Sequence, residues 1–286
     1  MEGANGLLSA EHIGVIVISR FKIILVGLFL FNSHIASSNE LEVRSSEQLK
    51  WGPLNPARGA ASPQAADLWG DRKSSSATGF LVKFKPGFES PPHIHNVTYR
   101  GVVIEGLIHN DDPEATAAWL PAGSFWTQPA GEAHITAAKG THSIAYIEID
   151  NGPYLVHPKE QAFDNGERAV NVDQSNLVWL GANDIKWIDT PQDIKRAFLW
   201  GSTSKGQFNG SFIKLPKGFL GQIKSEGSVF HAVVISGQLK PINQQTMLNP
   251  GSYFSHAGNA SHIGAVSDEV IIYVRTNGRL HILSSK

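Results

Sequence analysis

The 286-residue sequence contains no cysteine, which excludes disulfides, thiolate catalysis, sulfur-rich metal sites and a lipid anchor on cysteine. Charge is sparse too: 17% of residues are charged, the net charge is −1, and no lysine/arginine cluster stands out. The electrostatic footprint of a nucleic-acid partner is therefore missing. No long segment sustains a 3.6-residue apolar period, so an all-helical core is not expected. G-x-S-x-G, P-loop and dinucleotide-binding glycine patterns are absent as well, which counts against a serine hydrolase or a nucleotide enzyme. Glycine (28) and proline (15) are plentiful, as in a chain of short strands and many turns, and the length suits two domains of about 100–150 residues.

Near the N-terminus, Arg20-Phe21-Lys22 precedes the apolar run from Ile23 to Phe31, and the small residues Ala36-Ser37-Ser38 follow. Basic flank, short apolar core and small-x-small site form the pattern of a secretory leader. The run is too short to span a bilayer, which needs about 20 apolar residues. Residues 1–38 are thus expected to be a signal peptide, giving a secreted or periplasmic protein with no stable membrane span. The alternative is an uncleaved anchor from Ile13 to Phe31, with Arg20 and Lys22 costly in its middle. A start site too far upstream would account for the nineteen residues before Arg20.

The rest of the chain repeats itself. Trp69-Gly70, Gly79, Gly87-Phe88, Val102-Val103-Ile104 and Gly106 return as Trp200-Gly201, Gly210, Gly218-Phe219, Val233-Val234-Ile235 and Gly237, always 131 positions later. Gly123-Ser124 and His134-Ile135 return as Gly251-Ser252 and His262-Ile263 at an offset of 128. Such a match indicates an internal duplication. Residues 39–66 read as a polar lead-in draped over the first copy, and residues 154–184 as a linker.

The chemistry-bearing residues fall in the first copy. His93 and His95 are two apart in a strand-like stretch entered through Pro91-Pro92, so both imidazoles face one side. His134 lies in a Gly123…Pro129-Ala130-Gly131-Glu132-Ala133-His134 segment. With these motifs the chain resembles the cupin superfamily, whose signatures read G-x5-H-x-H-x3-E-x6-G and G-x5-P-x-G-x2-H-x3-N. Gly87, His93, His95 and Gly106 match the first; Gly123, Pro129, Gly131 and His134 match the second. The acidic slot holds Tyr99 and the final Asn slot holds Ala138. Within the superfamily the second segment is similar to the ChrR-type cupins and to a related bicupin family of unknown function.

The resemblance implies an all-β bicupin: two tandem double-stranded β-helix (jelly-roll) barrels, over residues 39–160 and 161–286. It also implies one divalent transition metal on His93, His95 and His134, zinc or Fe(II), with nickel, manganese and copper not excluded. Three satisfied ordinary histidines are the competing reading. Tyr99 shares the strand parity of the pair and is the candidate catalytic residue, as phenolate ligand or substrate-orienting group, or else simply packs. Trp126 and Gln128 are candidate substrate-binding residues. In the second copy Lys224 and Glu226 stand at the positions of His93 and His95, Phe230 at that of Tyr99, and only His262 keeps an imidazole. This barrel is expected to be metal-free, with Lys224 and Glu226 paired in an emptied pocket. The expected partner is a small molecule, with a homo-oligomer left open. One functional class is a metal-dependent enzyme on a small enolisable or carboxylate substrate, a three-histidine non-haem dioxygenase being the concrete version. The other is a non-catalytic, ChrR-like zinc sensor or ligand-binding module. Export makes ferrous iron less comfortable, because it is harder to keep reduced outside the cytoplasm.

Overall fold

A computed structural model describes residues 41–189, 193–242, 244–256, 260–265 and 268–285. The expected leader, residues 1–38, lies outside the described residues. Among those described, no helix is long and apolar enough to cross a membrane. The fold is all-β, and among the described residues the only helical elements are four short 3-10 turns.

Its apolar runs explain the architecture. Thr78–Phe84 is buried on almost every residue rather than on alternate ones. Phe80, Val82 and Phe84 point into the first barrel, while Leu81 points the other way. Val103 and its neighbours Val102 and Ile104 divide in the same manner, and so do Val234 against Val233 and Ile235 in the second copy. A sheet covered on both faces needs such uninterrupted apolar strands. The described residues therefore form three cores: one inside each barrel, and one between them built on Leu68, Trp69, Phe125, Tyr146, Phe212 and Tyr273. Within the first barrel, Tyr99–Asp111 pairs along its length with Ile135–Ile149, and irregularities near Glu105 let the pair bend from one sheet of the barrel to the other. The equivalent strands of the second copy are cut in two, Phe230–Ser236 with Leu239–Pro241 and Ala260–Ala265 with Val270–Thr276.

Each large sheet takes its outer strand from the other copy. Glu42–Arg44 pairs with Tyr253–Ser255 of the second barrel, and Val170–Val172 pairs with Phe125–Gln128 of the first. The turn after each exchanged strand donates its first amide to a buried serine across the exchange, Ser46 N to Ser252 Oγ and Gln174 N to Ser124 Oγ, both at 3.0 Å. Leu49 and Trp51 recur as Leu177 and Trp179, and each indole carries a lysine ammonium, Lys83 at 4.2 Å and Lys214 at 4.5 Å. The expectation that the lead-in drapes over the first barrel is thus corrected at its start. Residues 42–48 belong to the repeat and complete the second barrel's sheet, because an edge strand needs a partner for its unpaired amides and carbonyls.

A buried ionic network crosses between the copies. Glu148, 1% exposed, accepts from the hydroxyls of Tyr146 (3.0 Å) and Tyr273 (2.7 Å) and from Arg275 Nη1 (3.2 Å). Arg275 Nη2 and Arg100 Nη2 both reach Asp150, at 2.7 and 3.0 Å. The guanidinium of Arg100 lies 3.7 Å over Trp200, and His231 stacks 4.1 Å from Trp69. Removing one partner of a buried ion pair strands the other charge, so Arg275→Met is expected to cost about 3–5 kcal/mol in urea unfolding. A loss below about 1 kcal/mol would contradict the role given to this network.

Candidate metal centre

The three histidines converge because of backbone pairing. His93 and His134 face each other across an antiparallel bridge and exchange both amide–carbonyl bonds at 3.0 Å. Side chains on directly opposed residues stand side by side, and the two rings are 4.3 Å apart. His95, two residues on, points to the same side, with its ring 5.0 Å from that of His93 and 5.3 Å from that of His134. The chain around His134 turns at Gly131, whose φ of +79° favours glycine. A Cβ there would also sit 2.5 Å from the Phe163 carbonyl. That turn is tied to the site, since Gly131 N donates to His95 O at 2.9 Å.

All three rings have one nitrogen held by a backbone carbonyl: His93 Nδ1 by Pro91 (2.9 Å), His95 Nδ1 by Leu155 (2.8 Å) and His134 Nδ1 by Glu132 (3.0 Å). A carbonyl only accepts, so each Nδ1 carries the proton and each Nε2 keeps its lone pair. One ligand nitrogen from each residue lies within 4.8 Å of the others. Burial, with mutual repulsion adding to it, holds His95 far below the usual histidine range and His134 at about 3; burial also lowers His93. Neutral imidazoles with a fixed tautomer are the form that coordinates a metal. These residues fit one divalent transition metal. Among the described residues no other group of three or more acidic or histidine side chains has this geometry.

His93 and His95 line a cavity of about 100 Å³, where a single water centre needs roughly 10–15 Å³. A small organic molecule fits. The walls include the apolar Val82, Phe84, Phe88 and Ile147 and the polar-tipped Tyr99, Asn110, Trp126, Thr136 and Tyr154, with no acidic side chain among the described residues. Tyr99 does enter the cavity: its hydroxyl donates to Asn110 Oδ1 at 2.7 Å and lies 3.3 Å from His134 Nε2. Burial pushes its phenol well above the usual tyrosine range, which favours the protonated form. Trp126 lines the cavity, and its buried indole is a hydrogen-bond neighbour of the Tyr99 phenol. Gln128 stands behind the wall instead, its Oε1 accepting from Asn110 Nδ2 at 2.8 Å.

Sequence reasoning missed several wall residues, four of them polar and central to the site. Tyr154, whose hydroxyl lies 3.0 Å from His95 Nε2, sits in the stretch read as linker. Arg58 sits in the lead-in. Asn110 and Thr136 face each other across the two long strands, and Thr136 Oγ1 donates to Asn110 Oδ1 at 2.7 Å. An amide following the apolar Leu107-Ile108 was the available signal for Asn110.

In the second barrel the expected equivalences are corrected. Lys224 and Glu226 are exposed, and Glu226 pairs with His281 (2.7 Å), not with Lys224 in a pocket. The inward positions are Ile223, Ser225 and Ser261, with Ile223 opposite Ser261 as His93 is opposite His134. His262 points outward beside Gln222. A slip of one residue exchanges the two faces of a strand. The interior is filled: Phe230 stacks on His256 at 4.2 Å, among Phe219, Ile223 and Phe254. Metal analysis of the purified chain is accordingly expected to find one equivalent, lost in His134→Ala and retained in His262→Ala. Two equivalents, or retention in His134→Ala, would contradict this assignment.

The comparisons agree with the architecture. A proposed dioxygenase from Nostoc punctiforme superposes with a TM-score of 0.65 at 15% identity, covering 87% of this chain and 88% of that one. Protein YlbA from Escherichia coli, of the DUF861 family, gives 0.56 at 16% identity over 87% and 96%. The oxalate decarboxylase of Lactobacillus farciminis, in complex with formate, gives 0.53 at 11% identity over 85% and 88%. At these identities the likeness shows the fold. No curated protein sequence matches the chain. The sequence profile of a domain of unknown function, DUF4437, matches residues 42–283, nearly all of both barrels. The chain is therefore a member of the DUF4437 family, built as a bicupin with a three-histidine cluster in its first barrel.

Proposed function

We propose that the protein is a metal-dependent enzyme acting on a small oxygenated substrate, enolisable or carboxylate-bearing, with a three-histidine dioxygenase as its concrete form. The observation that carries this reading is the donor set. Three neutral imidazoles converge, and two of them line a cavity of small-molecule size with no acidic side chain among the described residues. A bound divalent metal would supply Lewis acidity toward a substrate oxygen, and ferrous iron would add electrons for dioxygen.

The chain's own residues supply the rest. Apolar Val82, Phe84 and Ile147 keep water away from most of the cavity, which strengthens every polar contact inside it. Tyr99, protonated and anchored on Asn110, presents a hydroxyl beside His134. Turned from Asn110, whose Oδ1 keeps the Thr136 hydroxyl, its single O–H can donate to a substrate oxygen on which negative charge develops. Asn110 is itself held by Thr136 and Gln128, so the phenol is fixed in position. The hydroxyl of Tyr154 is a further donor on the same walls, and the Trp126 indole supports the Tyr99 phenol. Acidic ligands of the kind found elsewhere in the superfamily would neutralise part of the metal's charge. Their absence favours an anionic ligand.

Anaerobic loading with Fe(II), followed by acetylacetone and air in an oxygen electrode, tests the reading. Oxygen uptake is expected, abolished in His134→Ala and slowed about a hundredfold in Tyr99→Phe, the usual worth of a positioned proton donor. Binding of acetylacetone without oxygen uptake under these conditions would instead favour a sensor or binding module.

A further inference from the structure

Resting on the metal-cavity reading above, we propose that Arg58 is the specificity-determining residue of the site, receiving a carboxylate at one end of the ligand while another oxygen of the ligand faces the histidines. Arg58 lines the cavity together with His93 and His95. It is half-buried, and its guanidinium carbon lies 5.5 Å from the Phe88 ring centroid. Among the described residues it forms no ion pair.

An arginine lining a cavity with no carboxylate among the described residues has no ionic partner there, and it stands beside a site for a dication. An anionic ligand resolves both charges at once. The guanidinium fork matches a carboxylate bidentately, which a single ammonium cannot do.

The segment carrying Arg58 is built to hold it. Asn55 caps the turn, its Oδ1 accepting from Ala57 N at 3.1 Å, and Pro56 opens it. Arg58 N donates to Asn55 O at 3.1 Å, and Ser62 N donates to Gly59 O at 3.1 Å. Ser62, fully buried, accepts from Asn55 N at 2.9 Å, closing the loop at its base. Lys85 Nζ donates to Ala60 O from the neighbouring strand end. A loop pinned at both ends presents its side chain with little ordering cost on binding. Cavity size limits the ligand to a few carbons, so the class is a small dicarboxylate or keto acid.

The test uses the full chain substituted with Co(II), whose visible spectrum reports ligands near the metal. Azide probes the histidine end alone; malonate, with two carboxylates, probes both ends, and acetate serves as reference. Wild-type protein is expected to bind malonate more tightly than acetate. Arg58→Gln should weaken malonate about ten- to a hundredfold and leave azide within about threefold, which also shows that the variant is folded. Arg58→Lys should recover only part of the loss. Unchanged malonate affinity in Arg58→Gln, or no preference for malonate over acetate in the wild type, overturns the assignment of Arg58 while the metal cavity stands. No response to azide in the wild type overturns the cavity reading itself, and the proposal falls with it.

Discussion

Three backbone carbonyls, of Pro91, Glu132 and Leu155, each take the Nδ1 proton of one histidine. That constraint decides what the first barrel can do. It fixes the tautomer, aims three Nε2 lone pairs into one space, and does so without a carboxylate in the supporting layer. The carbonyls come from three separate segments, so the geometry exists only when those segments are paired: Ser90 with Thr136, His93 with His134, and His95 with Val156. Folding of the barrel and assembly of the donor set are one event. Burial then keeps the imidazoles neutral, the state in which a metal can use them.

The two copies share a scaffold and have opposite interiors. In the first, polar residues Tyr99, Asn110 and Thr136 face a cavity; in the second, Phe219, Phe230 and Phe254 fill the same space. A packed second barrel suits a supporting role, because it offers the first a rigid partner. The exchanged strands and the Glu148–Arg275 contact make the support mutual. A buried carboxylate shared by tyrosines and arginines of both copies fixes how the copies are joined in a way apolar packing alone would not.

Much of this was legible in the sequence, and the failures have physical causes. His93, His95 and His134 could be found because ligand spacing on a strand is local and the flanking glycines and proline mark the turns. The duplication was visible through its tryptophans and glycines, which occupy positions with strict backbone or packing demands. The exchange of Glu42–Arg44 was not, because three residues with no periodic pattern carry no sign of a partner some 210 positions away. The misassignment of Lys224 and Glu226 has a sharper origin. Pro91 and Pro92 cannot donate to a ladder, so the first copy has only a short His93–His95 strand, whereas Leu220–Ser225 runs unbroken. Both copies use the same number of residues between Phe88 or Phe219 and the next long strand, but the strand enters one residue out of step, and an ungapped repeat cannot show that. Tyr154 and Arg58 come from segments that look like connections, and only the closed fold brings them to the cavity.

X-ray absorption at the edge of whatever metal the full-length protein carries as isolated tests the central claim most directly. The account predicts a first coordination sphere containing three imidazole nitrogens at about 2.0–2.1 Å, as for zinc, completed by oxygen and free of sulfur. A sphere made only of oxygens, or a protein that retains no metal on purification and takes up none when offered zinc, iron or manganese, would contradict it.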